Sequence, residues 1–199
     1  MSEASKISEN KLKSAVTGEE ICVKSLWENQ DCVITFFRRF GWPFCRLAAK
    51  QLSGIKQELD AHNVRLVGIG VEELGVKEFI DGKFFDGDLF IDIEKKCFKD
   101  MNYKRYGILN LIPALFSKTS RDAVSEAKAA NLGGDLKGDY YQVGGTLVVA
   151  KGGEKVLFSH KQEALADHVD PSEVLKSLNI EVTLKPEDNV KEEEQNASN

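Results

Sequence analysis

The segment Arg38-Arg39-Phe40-Gly41-Trp42-Pro43-Phe44-Cys45-Arg46 gathers the residue types that thiol chemistry needs: a cysteine, several arginines, and a proline suited to the first position of a helix. With Trp42 as the cap and Pro43 as the first helical residue, Cys45 falls in the first turn. There the unpaired backbone N–H groups and the positive helix end favour a thiolate, and Arg46 adds a cation next in sequence. Both effects lower a cysteine pKa from its free value of about 8.5, and thiolate rather than thiol is the nucleophile. The competing reading makes Cys45 a small apolar residue filling a helix–sheet junction. Its place at a strand-to-helix switch beside Arg46 favours the reactive role. A strand continuing through Arg38 and Arg39 turns them to opposite faces. One would then hold the thiolate or a peroxide oxygen, and the other would be solvated.

The elements around this segment follow from periodicity. Ile21-Cys22-Val23 is a short strand candidate. Residues 32–37 (CVITFF) are β-branched and aromatic with no alternation, the pattern of a strand covered on both faces. Phe44, Leu47, Ala48, Leu52, Ile55 and Leu59 form an apolar helical stripe reaching about His62. A second buried strand spans 64–71, a short helix runs from Leu74 to Ile80, a third strand covers 89–92, and 94–103 reads as helical. Residues 107–118 are apolar but fit no element clearly, and Arg121 to Asn131 reads as a helix. Gly152-Gly153 between 146–150 and 155–158 signals a hairpin, and Asp170-Pro171-Ser172 opens a last helix through Leu178. Strands alternating with helices, closed by a hairpin, give an α/β architecture with a mixed central sheet. The expected organisation is a flexible N-terminus over 1–13, one domain over 14–180 and an acidic disordered tail over 181–199.

Bulk properties exclude several classes. Of the net charge of −5, −3 sits in residues 185–199, so the rest of the chain carries no strong field for nucleic acid or a membrane surface. No stretch approaches the roughly 18 apolar residues of a membrane span. The N-terminal residues lack an apolar signal core, so a cytosolic location and reduced cysteines are expected. Cys22 and Cys32 fall on expected strands and Cys97 on an expected helix, where structural roles are favoured. His62, His160 and His168 have no metal-ligand spacing and lie far from Cys45 in sequence, which points to surface or capping roles and to no metal. Gly68-Ile69-Gly70 lacks the third glycine of a dinucleotide fingerprint, because Glu73 stands there. Lys104-Arg105-Tyr106 reads as an exposed helix end, with capture of a fatty-acid carboxylate as the alternative.

Four stretches carry a resemblance: RRFG ahead of Cys45, RLVGIGVEELGVKEFIDGKFF (65–85), FKDMNYKRYG (98–107) and GGTLVVAKGGEKVL (144–157). In their order and spacing the chain resembles the peroxiredoxin-like branch of the thioredoxin superfamily and, within it, the prostamide/prostaglandin F synthase family. The resemblance covers residues 14–180. It implies a thioredoxin-like, peroxiredoxin-type three-layer sandwich and a cytosolic thiol oxidoreductase. The implied substrate is the endoperoxide of prostaglandin H2 or its ethanolamide, with NADPH as the ultimate reductant, used directly or through a thioredoxin-type partner. The family's Cys-x-x-Cys motif departs here, since Trp42 occupies the first cysteine's place. Cys45 then acts alone with an outside thiol, as a generic peroxide-reducing antioxidant also would, or the domain is a non-catalytic binding module with Trp42 as an exposed contact. Gly145 falls in the slot where thioredoxin-like proteins carry a cis-proline, followed by Thr146. Glycine there either lets the backbone approach the sulfur closely or simply belongs to a loop.

Overall fold

Residues 31–37, 64–70 and 145–149 are rich in β-branched and apolar side chains that leave no polar face, and they occupy the middle of the sheet. The computed structural model describes residues 2–106, 121, 124–125, 129, 132–133, 141–164 and 167–181. Its strands are β1 (Lys11–Ser14), β2 (Glu20–Cys22), β3 (Asp31–Phe37), β4 (Val64–Gly70), β5 (Asp88–Ile91), β6 (Gly145–Val149) and β7 (Val156–Lys161), in the order β2-β1-β5-β4-β3-β6-β7. β3 runs parallel to β4, and β4 to β5, while β6 and β7 are antiparallel additions. After its first residue β3 is buried throughout, as is all of β6.

The described helices are α1 (Glu3–Ile7), α2 (Pro43–Ser53), α3 (Lys56–Ala61), α4 (Val76–Asp81), α5 (Lys96–Asp100) and α6 (Pro171–Ser177). Alternation along β3 sorts them into layers. Cys32, Ile34 and Phe36 face a core shared with Ala4 and Ile7 of α1 and Cys97 and Phe98 of α5. Val33 faces Leu52, Leu59, Val174 and Leu175 from α2, α3 and α6, and Phe37 faces Cys45, Ala49 and Phe79 from α2 and α4. The result is the expected three-layer sandwich around a mixed sheet.

Several expected boundaries move. The first 13 residues are ordered rather than flexible. Ala4, Ile7 and Leu12 are buried, β1 pairs with both β2 and β5, and Lys161 Nζ holds Glu3 at 2.8 Å. Sparse apolar residues suffice when each enters the core. The helix expected to reach His62 stops at Ser53 and resumes at Lys56. The Gly54 N–H reaches back to the carbonyls of Lys50, Gln51 and Leu52, which tightens the turn and ends α2. The helix expected over 94–103 shrinks to α5, and the Gly152-Gly153 hairpin forms between β6 and β7 as expected. Arg121, Val124, Ser125 and Ala129 are helical. The remainder of the expected 121–131 helix, the apolar stretch 107–118 and the tail from 182 lie outside the described residues.

Gly68 and Gly70 sit inside β4. A Cβ on Gly70 would come within 2.2 Å of the Phe40 ring, and one on Gly68 within 2.7 Å of Phe37. These glycines make room for aromatic rings. Phe37, Phe40 and Phe79 pack at centroid distances of 5.0 to 6.3 Å, and burial of each contributes about 1.5–3 kcal/mol. This cluster fixes the chain where β3 gives way to α2.

Gly144 is tighter still, because a Cβ there would lie 1.7 Å from the Phe36 carbonyl oxygen. That atom belongs to β3 and cannot swing away. Gly144→Ala is therefore expected to destabilise the protein by about 3 kcal/mol or more, read as a lowered urea midpoint. An unchanged midpoint would mean that β3 and β6 do not approach as described.

Candidate functional site

β3 ends at Phe37, so the backbone no longer alternates through Arg38 and Arg39. Both side chains are 1% exposed, which corrects the expectation that one would be solvated. The Arg38 guanidinium lies 5.0 Å from the centroid of the Trp42 ring and that of Arg39 lies 5.5 Å away. Such cation–π contacts strengthen to about 2 kcal/mol when desolvated. Trp42 also meets Phe44 edge-on at 5.3 Å. At 5% exposure it is a wall of the site and not the exposed contact expected of a binding module.

Trp42 is the cap of α2 and Pro43 its first residue, as the sequence implied. Cys45 therefore sits in the first helical turn, and its thiol is 1% exposed. Burial pushes the Cys45 pKa up, against the expected depression. The Arg38 charge, N–H donation from the Arg39 and Arg38 backbones, and the Arg39 charge pull it back, in that order. The helix terminus is where the sequence implies, but desolvation outweighs the cations here. Arg46 also has a different task from the one expected. Its Nε donates to the Phe40 carbonyl at 3.1 Å and its Nη1 to the Leu132 carbonyl at 3.1 Å, and its guanidinium covers Phe84 at 4.6 Å. It braces the turn, while Arg38 and Arg39 supply the charge at the sulfur.

Gly145 and Thr146 divide between the two faces of the sheet. Phe36 lies opposite Gly145 and Thr35 opposite Thr146, and directly opposed residues share a face. Thr146 consequently shares the face of α2, whereas Gly145 faces α5. A Cβ on Gly145 would meet the His160 carbonyl oxygen at 2.3 Å and the Tyr103 ring at 2.7 Å. Close backbone approach is real at this glycine, but its neighbours are Tyr103 and His160 rather than the reactive sulfur.

One residue that the sequence assigned to a surface or capping role enters the same region. Gln162 follows β7, opposite Gly144, whose N–H donates to Gln162 Oε1 at 2.9 Å. Gln162 Nε2 then donates to His168 Nδ1 at 2.6 Å. Its other ring nitrogen, Nε2, is buried and has no acceptor among the described residues. Burial lowers the His168 pKa to about 4; Asp167 pulls it up, while Arg38 and His160 push it down. No sequence motif marks His168. Only the antiparallel return of β6 and β7 brings it to this end of the sheet.

The remaining candidates lie elsewhere. Cys32 is at the start of β3, about 16 Å of strand before its end, and Cys32 and Cys97 share the opposite face from α2. Cys22 ends the edge strand β2. Disulfide formation requires Cα atoms within about 7 Å, so none of these cysteines can pair with Cys45 without rearrangement. Lys104-Arg105-Tyr106 is not a helix end. Lys104 and Tyr106 bind Glu163, and Arg105 binds Gln142. Gly68 and Gly70 are strand residues under aromatic rings and offer no phosphate cradle. Among the described residues no His, Cys, Asp and Glu side chains cluster as metal ligands, and no helix is long and apolar enough to cross a membrane.

A profile of the family described as AhpC/TSA antioxidant enzyme matches residues 51–164. That span holds most of the sheet but begins six residues after Cys45. The chain is 48% identical over 169 residues to a Sus scrofa protein named prostamide/prostaglandin F synthase, with 85% of this chain and 84% of that one covered. The Homo sapiens protein of the same name is 46% identical, with 85% of each covered. Among solved structures, the peroxidoxin BcpB of Mycobacterium tuberculosis superposes with a TM-score of 0.59 at 18% identity, covering 85% of this chain and 90% of that one. That likeness establishes a thioredoxin-like, peroxiredoxin-type fold.

The His168 environment has a consequence for stability. Unfolded histidine titrates near 6.5, whereas folded His168 stays neutral down to about 4. Between those values the unfolded chain binds more protons, so this group makes stability fall as pH falls through the window. Wild type is expected to lose urea-unfolding stability relative to His168→Gln as pH drops from 6.5 towards 4. Parallel curves for the two proteins would show that His168 is not held neutral.

Proposed function

The chain belongs to the peroxiredoxin-like AhpC/TSA antioxidant enzyme family, alongside relatives named prostamide/prostaglandin F synthase, and from that premise we propose that it uses Cys45 to reduce the O–O bond of a lipid endoperoxide. Family membership supports a thiol oxidoreductase acting on a small-molecule peroxide. The finer reading takes the endoperoxide of prostaglandin H2 or its ethanolamide as substrate and the F-type diol as product. The observation that carries it is the convergence of two buried arginines and two backbone N–H groups on a cysteine in the first turn of α2.

The chemistry uses one protein thiol. The Cys45 sulfur attacks one oxygen of the bridge, an S–O bond forms, and the O–O bond breaks with its electron pair leaving on the second oxygen. The proton lost by the thiol ends on that oxygen. A thiol of an external thioredoxin-type dithiol then attacks the Cys45 sulfur and displaces the first oxygen as a hydroxyl. The dithiol's second thiol closes its disulfide and frees Cys45. The arginine charges stabilise the attacking thiolate and the developing oxyanion. In this scheme NADPH is the ultimate reductant and supplies electrons through a separate reductase. The site is expected to work in the cytosol, where such reductants operate. The near-complete burial of Cys45 favours one alternative, a thioredoxin-fold binding module without turnover whose partner contact is not the buried Trp42.

Supplying thioredoxin, its reductase and NADPH separates these readings. With prostaglandin H2 and, separately, hydrogen peroxide, wild type is expected to consume NADPH with prostaglandin H2 and Cys45→Ser to lose that consumption. Consumption with hydrogen peroxide alone would indicate a generic antioxidant peroxidase. Absence of turnover with both substrates would leave the binding module.

A further inference from the structure

Resting on the oxidoreductase reading, we infer that His168 is a catalytic hydrogen-bond donor whose neutral Nε2–H receives the oxygen that leaves as Cys45 cleaves the O–O bond. Gln162 Oε1 accepts the Gly144 N–H at 2.9 Å, so its amide nitrogen is the group facing His168. An amide nitrogen only donates, which makes His168 Nδ1 an acceptor and places the single proton of the neutral ring on Nε2. The tautomer is thus set from the backbone of Gly144, through one side chain, with no freedom left at the ring.

That proton is then directed into the protein without an acceptor among the described residues. A buried donor left unmet costs about 1–3 kcal/mol, so its retention calls for a partner that arrives with the substrate. The fold determines what it can meet. β6 is antiparallel to β3, and β7 to β6, so Gly144 and Gln162 lie at the end of β3 that leads into Arg38, Arg39 and α2. Thr146 and His160 form an opposed pair on the α2 face, and Gly144 and Gln162, two residues along each strand, lie on that same face. Val169, next to His168, packs with Leu52 of α2. Arg38 acts electrostatically on both His168 and Cys45. The donor, the arginine and the sulfur therefore share one end and one face of the sheet. The ring's low proton affinity keeps it a donor of a hydrogen bond rather than of a proton. The proton that completes the alcohol still comes from the Cys45 thiol, and the step balances without a change in His168.

Pre-steady-state reaction of the reduced full chain with tert-butyl hydroperoxide and, separately, with iodoacetamide tests this role. Both reagents consume the Cys45 thiolate, but only the hydroperoxide expels an oxygen. His168→Ala is expected to slow the hydroperoxide reaction about 100-fold while leaving alkylation nearly unchanged. His168→Gln, whose side-chain N–H reaches a similar position, is expected to recover most of the loss. Equal slowing with both reagents, or no slowing in a folded His168→Ala protein, would overturn the role of His168 alone. Wild-type protein that alkylates at Cys45 but reacts with neither the hydroperoxide nor prostaglandin H2 would overturn the oxidoreductase reading and this role with it.

Discussion

The opposition between desolvation and cationic charge at Cys45 organises this structure. A thiol at 1% exposure is held towards its neutral form by burial, while the charges and backbone N–H groups of Arg38 and Arg39 favour the thiolate. Burying two guanidinium groups is itself costly. Trp42 offsets part of that cost with its π face, and the Phe37–Phe40–Phe79 cluster fixes the backbone from which both arginines project. The space those rings occupy exists because β4 carries glycine at 68 and 70.

The mixed sheet turns this local arrangement into a site. Parallel pairing with β4 and antiparallel pairing with β6 cover both edges of β3, and the helices bury both its faces. The same antiparallel return carries Gly144, Gln162 and His168 to that end. Residues 99 to 123 positions away from Cys45 in sequence are thereby brought to the same end of the sheet.

Much of this was legible in the sequence. The unbroken apolar runs, Pro43 at the start of α2 and the Gly152-Gly153 turn specified the sheet's centre, the address of Cys45 and the closing hairpin through local rules. The errors share a cause, because exposure depends on tertiary packing. One of Arg38 and Arg39 was expected at the sulfur and the other in solvent, yet both are buried once β3 ends at Phe37. Arg46, adjacent to Cys45 in sequence, turns to Phe40 and Leu132, since neighbours on a helix do not share a face. Polar composition at residues 1–13 suggested mobility, but three well-placed apolar side chains were enough to order them. His168 carried no signal, because its role depends on a hydrogen bond from Gln162 and a register set across two strands.

In the proposed chemistry Cys45, and no other cysteine, is the nucleophile. Trapping the reduced protein with dimedone during exposure to one equivalent of hydrogen peroxide, followed by peptide mass mapping, addresses it directly. The sulfenic-acid adduct is expected on Cys45, with Cys22, Cys32 and Cys97 unlabelled. An adduct on one of those three cysteines with Cys45 unmodified would contradict it.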